Sequence, residues 1–520
     1  MTRTAFIFAV VACFGCGDDG GRPDSGADLG TDAFTLVDAG EDGFVPIPDD
    51  GGPLDAHMPD LGEPDGGTRT LVTVGHQREL RAMWVATVFQ LDFPSATTLT
   101  SAESHAELEA IVDRVRSLGM NAILFQVRAE SDAAYASAIE PWSRFLSGTQ
   151  GANPGYDPLA QLIELAHDRG LEAHAWANPF RGLTSATSTP DPLHPVNRFP
   201  DAAEPYGTGV TMNPADPAVR AHVRDVLVDI TQRYDIDGVV FDDYFYPYPT
   251  SEPFPDDDDY SAYLTGGGAL GKSDWRRENV NALIASIDPA LEAVAPWVRW
   301  GVAPFGIYRP GMPSGIVGLD AFEVLAADSR RWLEEGWVDY IAPQLYWPTT
   351  SSGQPFGPLV DWWASVATAE RPVIPSLGLY RIGTAPEWTP DEFAMQVALT
   401  RGEGERAAGQ TWFRLGSLNA ELETMLRSVY ATPARPPRVP GYDATVEPPD
   451  VGPVPGGITL AHSSPAIRGY AVYRAEGADW VLERWEPVGR TAVALAAGTY
   501  AVSAIDRGGV ESAGVEVEVR

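Results

Sequence analysis

Beyond residue 75, short runs rich in apolar and β-branched residues alternate with stretches whose apolar positions recur every three or four residues. The short runs predict strands at "LRAMWVAT" (80–87), "AILFQVR" (122–128), "EAHAWANP" (172–179) and "GVVFDDYF" (238–245). Four more follow at "RWGVAPFG" (299–306), "DYIAPQLYW" (339–347), "PVIPSLGLY" (372–380) and "GQTWFRL" (409–415). Between the first two, Leu108, Ile111, Val112, Val115 and Leu118 share one helical face. "NPADPAV" predicts another helix, with Asp216 capping the first turn and Pro217 at the first helical position, ending near Tyr234. Later helices fit 274–293, 328–336, 357–370, 390–402 and 419–430. Eight strand–helix units predict an α/β fold, a (β/α)8 TIM barrel with enlarged loops. The competing doubly wound sheet lacks its Gly-rich phosphate turn after the first strand.

In a barrel, chemistry sits where strands end and loops begin. Those ends carry Arg128 and "AESD"; Trp176, Asn178 and Arg181; Asp242, Asp243, Tyr244 and Tyr246; Pro304, Tyr308 and Arg309; Gln344, Tyr346 and Trp347; Tyr380 and Arg381. The fourth run is the most telling. "GVVFDDYFYPYP" (238–249) stops on two carboxylates and surrounds them with rings. Sugars present hydroxyl edges and apolar C–H faces, so acids and amides beside aromatic platforms fit a glycan. Cleaving a glycosidic bond usually takes two carboxyl groups. Alternation from an inward Val240 turns Asp242 toward the barrel axis. Asp243 turns inward as the strand ends, and Asp132, Glu130 and Glu140 are candidates for a second carboxylate. Trp84, Trp142, Trp275, Trp332 and Trp337 read as packing. Arg128 has a salt bridge to Asp132 as its plain reading, and "DDDD" (256–259) reads as a solvated loop.

Composition narrows the partners. The 520 residues are 44% apolar and 10% aromatic, with 72 acidic against 36 basic side chains, a net charge of -36. Such a chain repels phosphate backbones, which excludes nucleic acid. His167 and His222 fall on helices and His174 stands alone in a strand, so no metal or cofactor is expected. Both cysteines, Cys13 and Cys16, lie in the N-terminal apolar run "AFIFAVVACFGC". That run reads as an export signal over 1–15, with Cys16 as the lipidated residue of an outer-membrane lipoprotein facing periplasm or cell surface. From Gly17 to Gly67 there are 14 Asp or Glu, one Arg and no periodic apolar pattern. Residues 16–70 are therefore expected to form a disordered acidic tether.

Taken together, "ELRAMWVATV", "NAILFQVRAESDAAY", "PWSRFLSGTQG", "HAWANPFR", "FDDYFYPYP", "DWRRENVN" and "DYIAPQLYW" resemble the glycosyl hydrolase-like 10 family, in order over about residues 77–430. The resemblance implies an exported TIM-barrel glycosidase, with some members linked to peptidoglycan glycan strands stripped of stem peptides. It also implies site positions at Asp132, Asn178, Asp242, Asp243, Gln344 and Tyr346. With the rings and donors read from the strand ends, the expected site has Asp242, Asp243 and Asp132 as catalytic residues. Arg128, Trp176, Asn178, Tyr244, Tyr246, Gln344, Tyr346 and Trp347 are expected to bind substrate. A non-catalytic glycan-binding protein and a cell-envelope scaffold remain the alternatives. The barrel is assigned to 71–432 and a proline-rich linker to 433–456. The remainder, 457–520, alternates as a small all-β module that resembles fibronectin type III, though short for that fold.

Overall fold

The eight apolar runs become eight parallel strands because each is buried on both faces, as an enclosed parallel sheet requires. A computed structural model describes residues 69–520. The expected export signal, Cys16 and the acidic stretch through residue 68 lie outside the described residues. The barrel strands are β1 Leu80–Val85, β2 Ala122–Arg128, β3 Glu172–Ala177, β4 Gly238–Phe241, β5 Arg299–Val302, β6 Tyr340–Ile341, β7 Ser376–Gly378 and β8 Gly409–Phe413. Their order in the sheet is β6-β5-β4-β3-β2-β1-β8-β7. Parallel bridges from Ile341 to Val373 and from Gln344 to Ser376 join the last pair, so the strands close on themselves. This is a TIM-type (β/α)8 barrel.

Alternation divides the apolar residues into two clusters. Leu80, Ala82, Trp84, Leu124, Trp176, Val240, Ala303 and Ile374 fill the inside of the barrel. Met83, Ile123, Phe125, Val239, Phe241, Trp300 and Val302 face outward, where the helices cover them. The helix Ser101–Ser117 starts on a capping box: Thr100 accepts from Glu103 N, and Glu103 returns the bond to Thr100 N. Leu108, Ile111, Val112 and Val115 are its buried stripe. The helix Pro217–Arg233 starts at Asp216, which accepts from Ala218 N and Val219 N, with Pro217 in its first turn.

The C-terminal residues form two antiparallel sheets. One contains Ile467–Glu476, Asp479–Pro487, Gly498–Asp506 and Gly514–Val519; the other contains Asp450–Val454, Gly457–Ala461 and Ala492–Ala494. Ile458, Leu460, Tyr470, Val472, Tyr500 and Val502 lie in the core they share. Two assigned boundaries move. Leu71–Val72, read as the start of the barrel, is an edge strand of the C-terminal sheet, pairing with Gly514–Val515. Asp450–Val454, read as linker, pairs with Gly457–Ala461. Pairing of Leu71–Val72 with a strand more than 400 residues away leaves no local pattern, and the prolines in and beside Asp450–Val454 hide a strand that pairs with its neighbour.

This module sits against the N-terminal ends of the barrel strands. Arg468 bonds Asp235 at 2.6 and 2.7 Å and Asp237 at 3.1 Å, while Asp237 also bonds His167 at 2.8 Å. The guanidinium of Arg435 lies 3.8 Å from the ring centroid of Trp485. Gly170 stands in the left-handed region (φ 71°), and a Cβ there would fall 2.4 Å from the Trp485 ring. Pro437, in the proline-rich segment, accepts from Arg299 Nη2 at 2.7 Å, so that segment is a packed strap. Among the described residues, these module bonds all lie at this end, opposite the strand ends that carry Asp242 and Asp243.

Candidate active site

β4 ends at Phe241, and the next two residues carry the carboxylates of the site. Val240 belongs to the interior cluster, and two residues on, Asp242 accepts hydrogen bonds at Oδ2 from Trp176 Nε1 (3.1 Å) and from Asn178 Nδ2. Both donors come from the end of β3, the neighbouring strand. Among the described residues no side chain bonds Asp242 Oδ1, while the Tyr244 backbone N–H also favours the charged form of this carboxylate. Asn178 is itself oriented, because its Oδ1 accepts from Gln126 Nε2 at 2.8 Å. Asp243 accepts from the hydroxyl of Tyr248 and from the Gln344 amide. Gln344 in turn donates to the Ala303 carbonyl at 3.1 Å.

The two aspartates are each only 4% exposed. Burial lifts the carboxyl of Asp242 well above the usual carboxylate range; Arg181 opposes this and the neighbouring Asp243 adds to it. Burial raises Asp243 also, against its bonds from Tyr248 and Gln344. Two adjacent carboxyls in low dielectric titrate as a pair, with one proton retained longer than either acid alone would hold it. Arg181, the nearby cation, lies over the Tyr244 ring at 4.2 Å from its centroid.

Rings wall this pair. Trp176 meets Trp84 edge-on at 4.9 Å. Phe413, at the end of β8, contacts Trp84, Trp176, Tyr346 and Tyr380 within 6.4 Å. The Tyr346 ring stacks on it at 6.0 Å, and its hydroxyl lies 3.2 Å from Ser376 Oγ. On the other side Tyr248 touches Phe305 (6.3 Å), which touches Trp347 (5.6 Å). Phe413, Phe305, Tyr248 and Gln126 were not singled out from sequence. The alternation that turned Asp242 inward points to Gln126 and Phe413 too, each in step with interior positions of its own strand.

Three expected roles change. Tyr246, expected to bind substrate, is 2% exposed and packs against Phe254 beneath the Arg276 guanidinium, in the outer core. The chain leaves the strand at Phe241, so alternation no longer sets where these rings point, and Tyr248, not Tyr246, reaches the aspartates. Arg128, also expected to touch substrate, is 1% exposed and clasps Glu140 with Nε (2.8 Å) and Nη2 (2.7 Å). Its Nη1 donates to the carbonyls of Asn178 (2.5 Å) and Pro179 (3.0 Å), so it braces the β3 end from behind. Glu140 is thereby spent as a counter-charge. Burial alone would raise it, but Arg128 and His222 hold it down to about 2.

Asp132 lies in a second buried carboxylate group in the loop after β2. It accepts from Glu130 N (3.1 Å) and Gln150 Nε2 (3.3 Å), and burial beside the Glu130 charge pushes it up to about 6. Glu130 is clasped by Arg144 at 2.8 and 3.0 Å. Arg181 links the two groups: its carbonyl accepts from Ser131 Oγ at 2.9 Å, and its charge acts on both aspartates of the first pair. The structure thus gathers Asp242, Asp243, Trp176, Asn178, Tyr244, Gln344, Tyr346 and Trp347 around one pair of carboxylates, with Asp132 in the adjoining loop.

Residues 79–389 match the family described as glycosyl hydrolase-like 10. Over 430 residues the chain is 37% identical to the glycosyl hydrolase YngK of Bacillus subtilis (strain 168), covering 77% of this chain and 83% of that one. It is 33% identical over 352 residues to the glycosyl hydrolase DigH of Escherichia coli (strain K12), covering 63% of this chain and 79% of that one. Among solved structures, alpha-L-fucosidase isoenzyme 2 from Paenibacillus thiaminolyticus aligns with a TM-score of 0.45 at 13% identity, over 68% of this chain and 49% of that chain. On the family match and these two sequence likenesses, the chain belongs to the glycosyl hydrolase-like 10 family and is a glycosidase.

Proposed function

We propose that this glycosidase hydrolyses the O-glycosidic bonds of a bacterial cell-envelope polysaccharide, with peptidoglycan glycan strands lacking stem peptides as its substrate. The observation that carries the reading is the buried aspartate pair at the mouth of the barrel, held by amide, indole and phenol donors and walled by rings. Oxocarbenium-like transition states need a carboxylate beside the anomeric carbon and a proton for the leaving oxygen. A pair that shares a proton near neutral pH has both forms at hand. Asp242 Oδ2 is fixed by Trp176 and Asn178, so the carboxylate is held in one orientation before a sugar arrives. Asp243 and Arg181 set the field around it, and the rings take the apolar sugar faces while excluding water. A glycan without peptide side chains suits a site lined by rings and amides. We also propose that Cys16 carries a lipid that holds the protein at the outer membrane, consistent with an apolar run ending in cysteine and an acidic stretch after it.

The test is release of reducing ends from peptide-free glycan strands by the unaltered protein and by Asp242→Asn. The asparagine can keep both bonds at the Oδ2 position but carries no charge. Turnover is expected to fall by about a thousandfold or more while circular dichroism is unchanged. Near-normal turnover in folded Asp242→Asn would remove the β4 pair from the mechanism. Failure of the unaltered protein to cleave these strands would remove the proposed substrate.

A further inference from the structure

Just after β1, two consecutive residues that are not glycine hold left-handed backbone: Phe89 (φ 52°) and Gln90 (φ 57°). Such backbone persists only where its surroundings fix it, and it gathers at functional sites. The surroundings here are unusually complete. Gln126 Oε1 accepts from Thr87 N (3.1 Å) and Val88 N (2.9 Å), and Thr87 Oγ1 donates to the Gln126 carbonyl (2.9 Å). At the far side of the turn, Asp92 accepts from Ala86 N (2.8 Å) and Gly416 N (2.7 Å) and pairs with Arg414.

What this lock holds in place is an aromatic ring in solvent. Phe89 is 45% exposed, at the end of the barrel where the aspartates lie. Its ring stands edge-on against Phe145 at 5.3 Å, and Phe145 is buried in the same interior cluster as Trp176. The polar side of the lock also leads to the aspartates. The Gln126 that receives the turn's two N–H groups gives its own amide to Asn178, which holds Asp242. A lone exposed phenylalanine is ordinary. One carried on strained backbone, backed by a buried ring and braced from the catalytic pair, is a built surface.

We propose that Phe89 is the outer sugar platform of the cleft, taking the apolar face of a pyranose some units along the chain from the bond that is cut. This rests on the glycan reading above and adds to it that the enzyme measures chain length. A ring fixed before binding loses little freedom when a sugar covers it, so its contribution falls on strands long enough to reach it.

The experiment compares kcat/KM on a peptide-free glycan tetrasaccharide and octasaccharide for the unaltered protein, Phe89→Ala and Phe89→Trp. The octasaccharide-to-tetrasaccharide ratio is expected to fall about tenfold in Phe89→Ala, through KM, and to be restored in Phe89→Trp. A ratio within about twofold of the unaltered protein's, in a variant with an unchanged melting curve, overturns the platform. Calorimetric octasaccharide binding by Asp242→Asn, with and without Phe89→Ala, gives a readout free of turnover. Weaker binding on loss of Phe89 supports the platform even if the unaltered protein cleaves nothing, in which case only the proposed substrate role fails. Equal binding overturns the platform even if cleavage is normal.

Discussion

Glu140→Gln removes the carboxylate that Arg128 clasps with two nitrogens, at a place where the two side chains are 0% and 1% exposed. Two routes give the size of the loss. Glu140 is held down to about 2 from its usual 4.5, roughly two and a half pH units, and at 1.36 kcal/mol each this is about 3 kcal/mol. Breaking a buried ion pair by removing one partner costs about 3–5 kcal/mol, because the other charge is left uncompensated. The routes agree, so about 3 kcal/mol of stability should vanish at pH 7. The folded value lies below the unfolded one, so the contribution is full above about pH 4.5 and is lost as pH falls toward about 2. The gap between the two proteins should therefore shrink to about half near pH 3. Urea unfolding followed by tryptophan fluorescence at both pH values measures it. Turnover should fall as well, by about tenfold, because Arg128 also braces the Asn178 and Pro179 carbonyls and through them the donor to Asp242. A gap below about 1 kcal/mol at pH 7, or one as large at pH 3 as at pH 7, would refute the reasoning.

Two further outcomes follow from other parts of the molecule. Arg468→Ala should lower stability by about 3 kcal/mol, because it removes the guanidinium bonded to the buried Asp237 and leaves that carboxylate to the His167 ring and the Ala173 N–H; an unchanged urea midpoint would mean that this pair does not hold the module to the barrel. Cys16→Ala should move the protein from the membrane to the soluble fraction without changing its melting curve, and continued membrane association would remove Cys16 as the point of lipid attachment.

The barrel was legible because its strands are enclosed: an apolar run buried on both faces needs no knowledge of its neighbours. Strand ends were less so. The run 339–347 keeps regular strand only at Tyr340–Ile341, and 372–380 only at Ser376–Gly378, where Pro343, Pro372 and Pro375 lack the N–H that a ladder uses. The inward turn of Asp242 followed from counting two residues from Val240. The exchange of Tyr246 for Tyr248 did not, because the strand ends at Phe241 and loop geometry, which no periodicity records, places both rings. Arg128 was misread for a different reason. Its partner Glu140 is set by the path of a loop, and His222, which bonds Glu140 at 2.8 Å, arrives on a helix from far along the chain. No spacing rule joins the three.

The pairing of Leu71–Val72 with Gly514–Val515 has a consequence for how the protein is made. Synthesis runs from the N-terminus, so the first strand of the described chain waits for one of the last before its backbone groups are satisfied. The barrel between them can form while both ends are still open, and the final strand then seats the first. A chain cut short after the barrel would leave that early strand as an unpaired edge and uncover Asp237 and Arg435 together. Such an incomplete copy exposes both an unpaired segment and charge that the module otherwise covers, so truncation ahead of the module should yield an aggregation-prone barrel rather than a smaller enzyme.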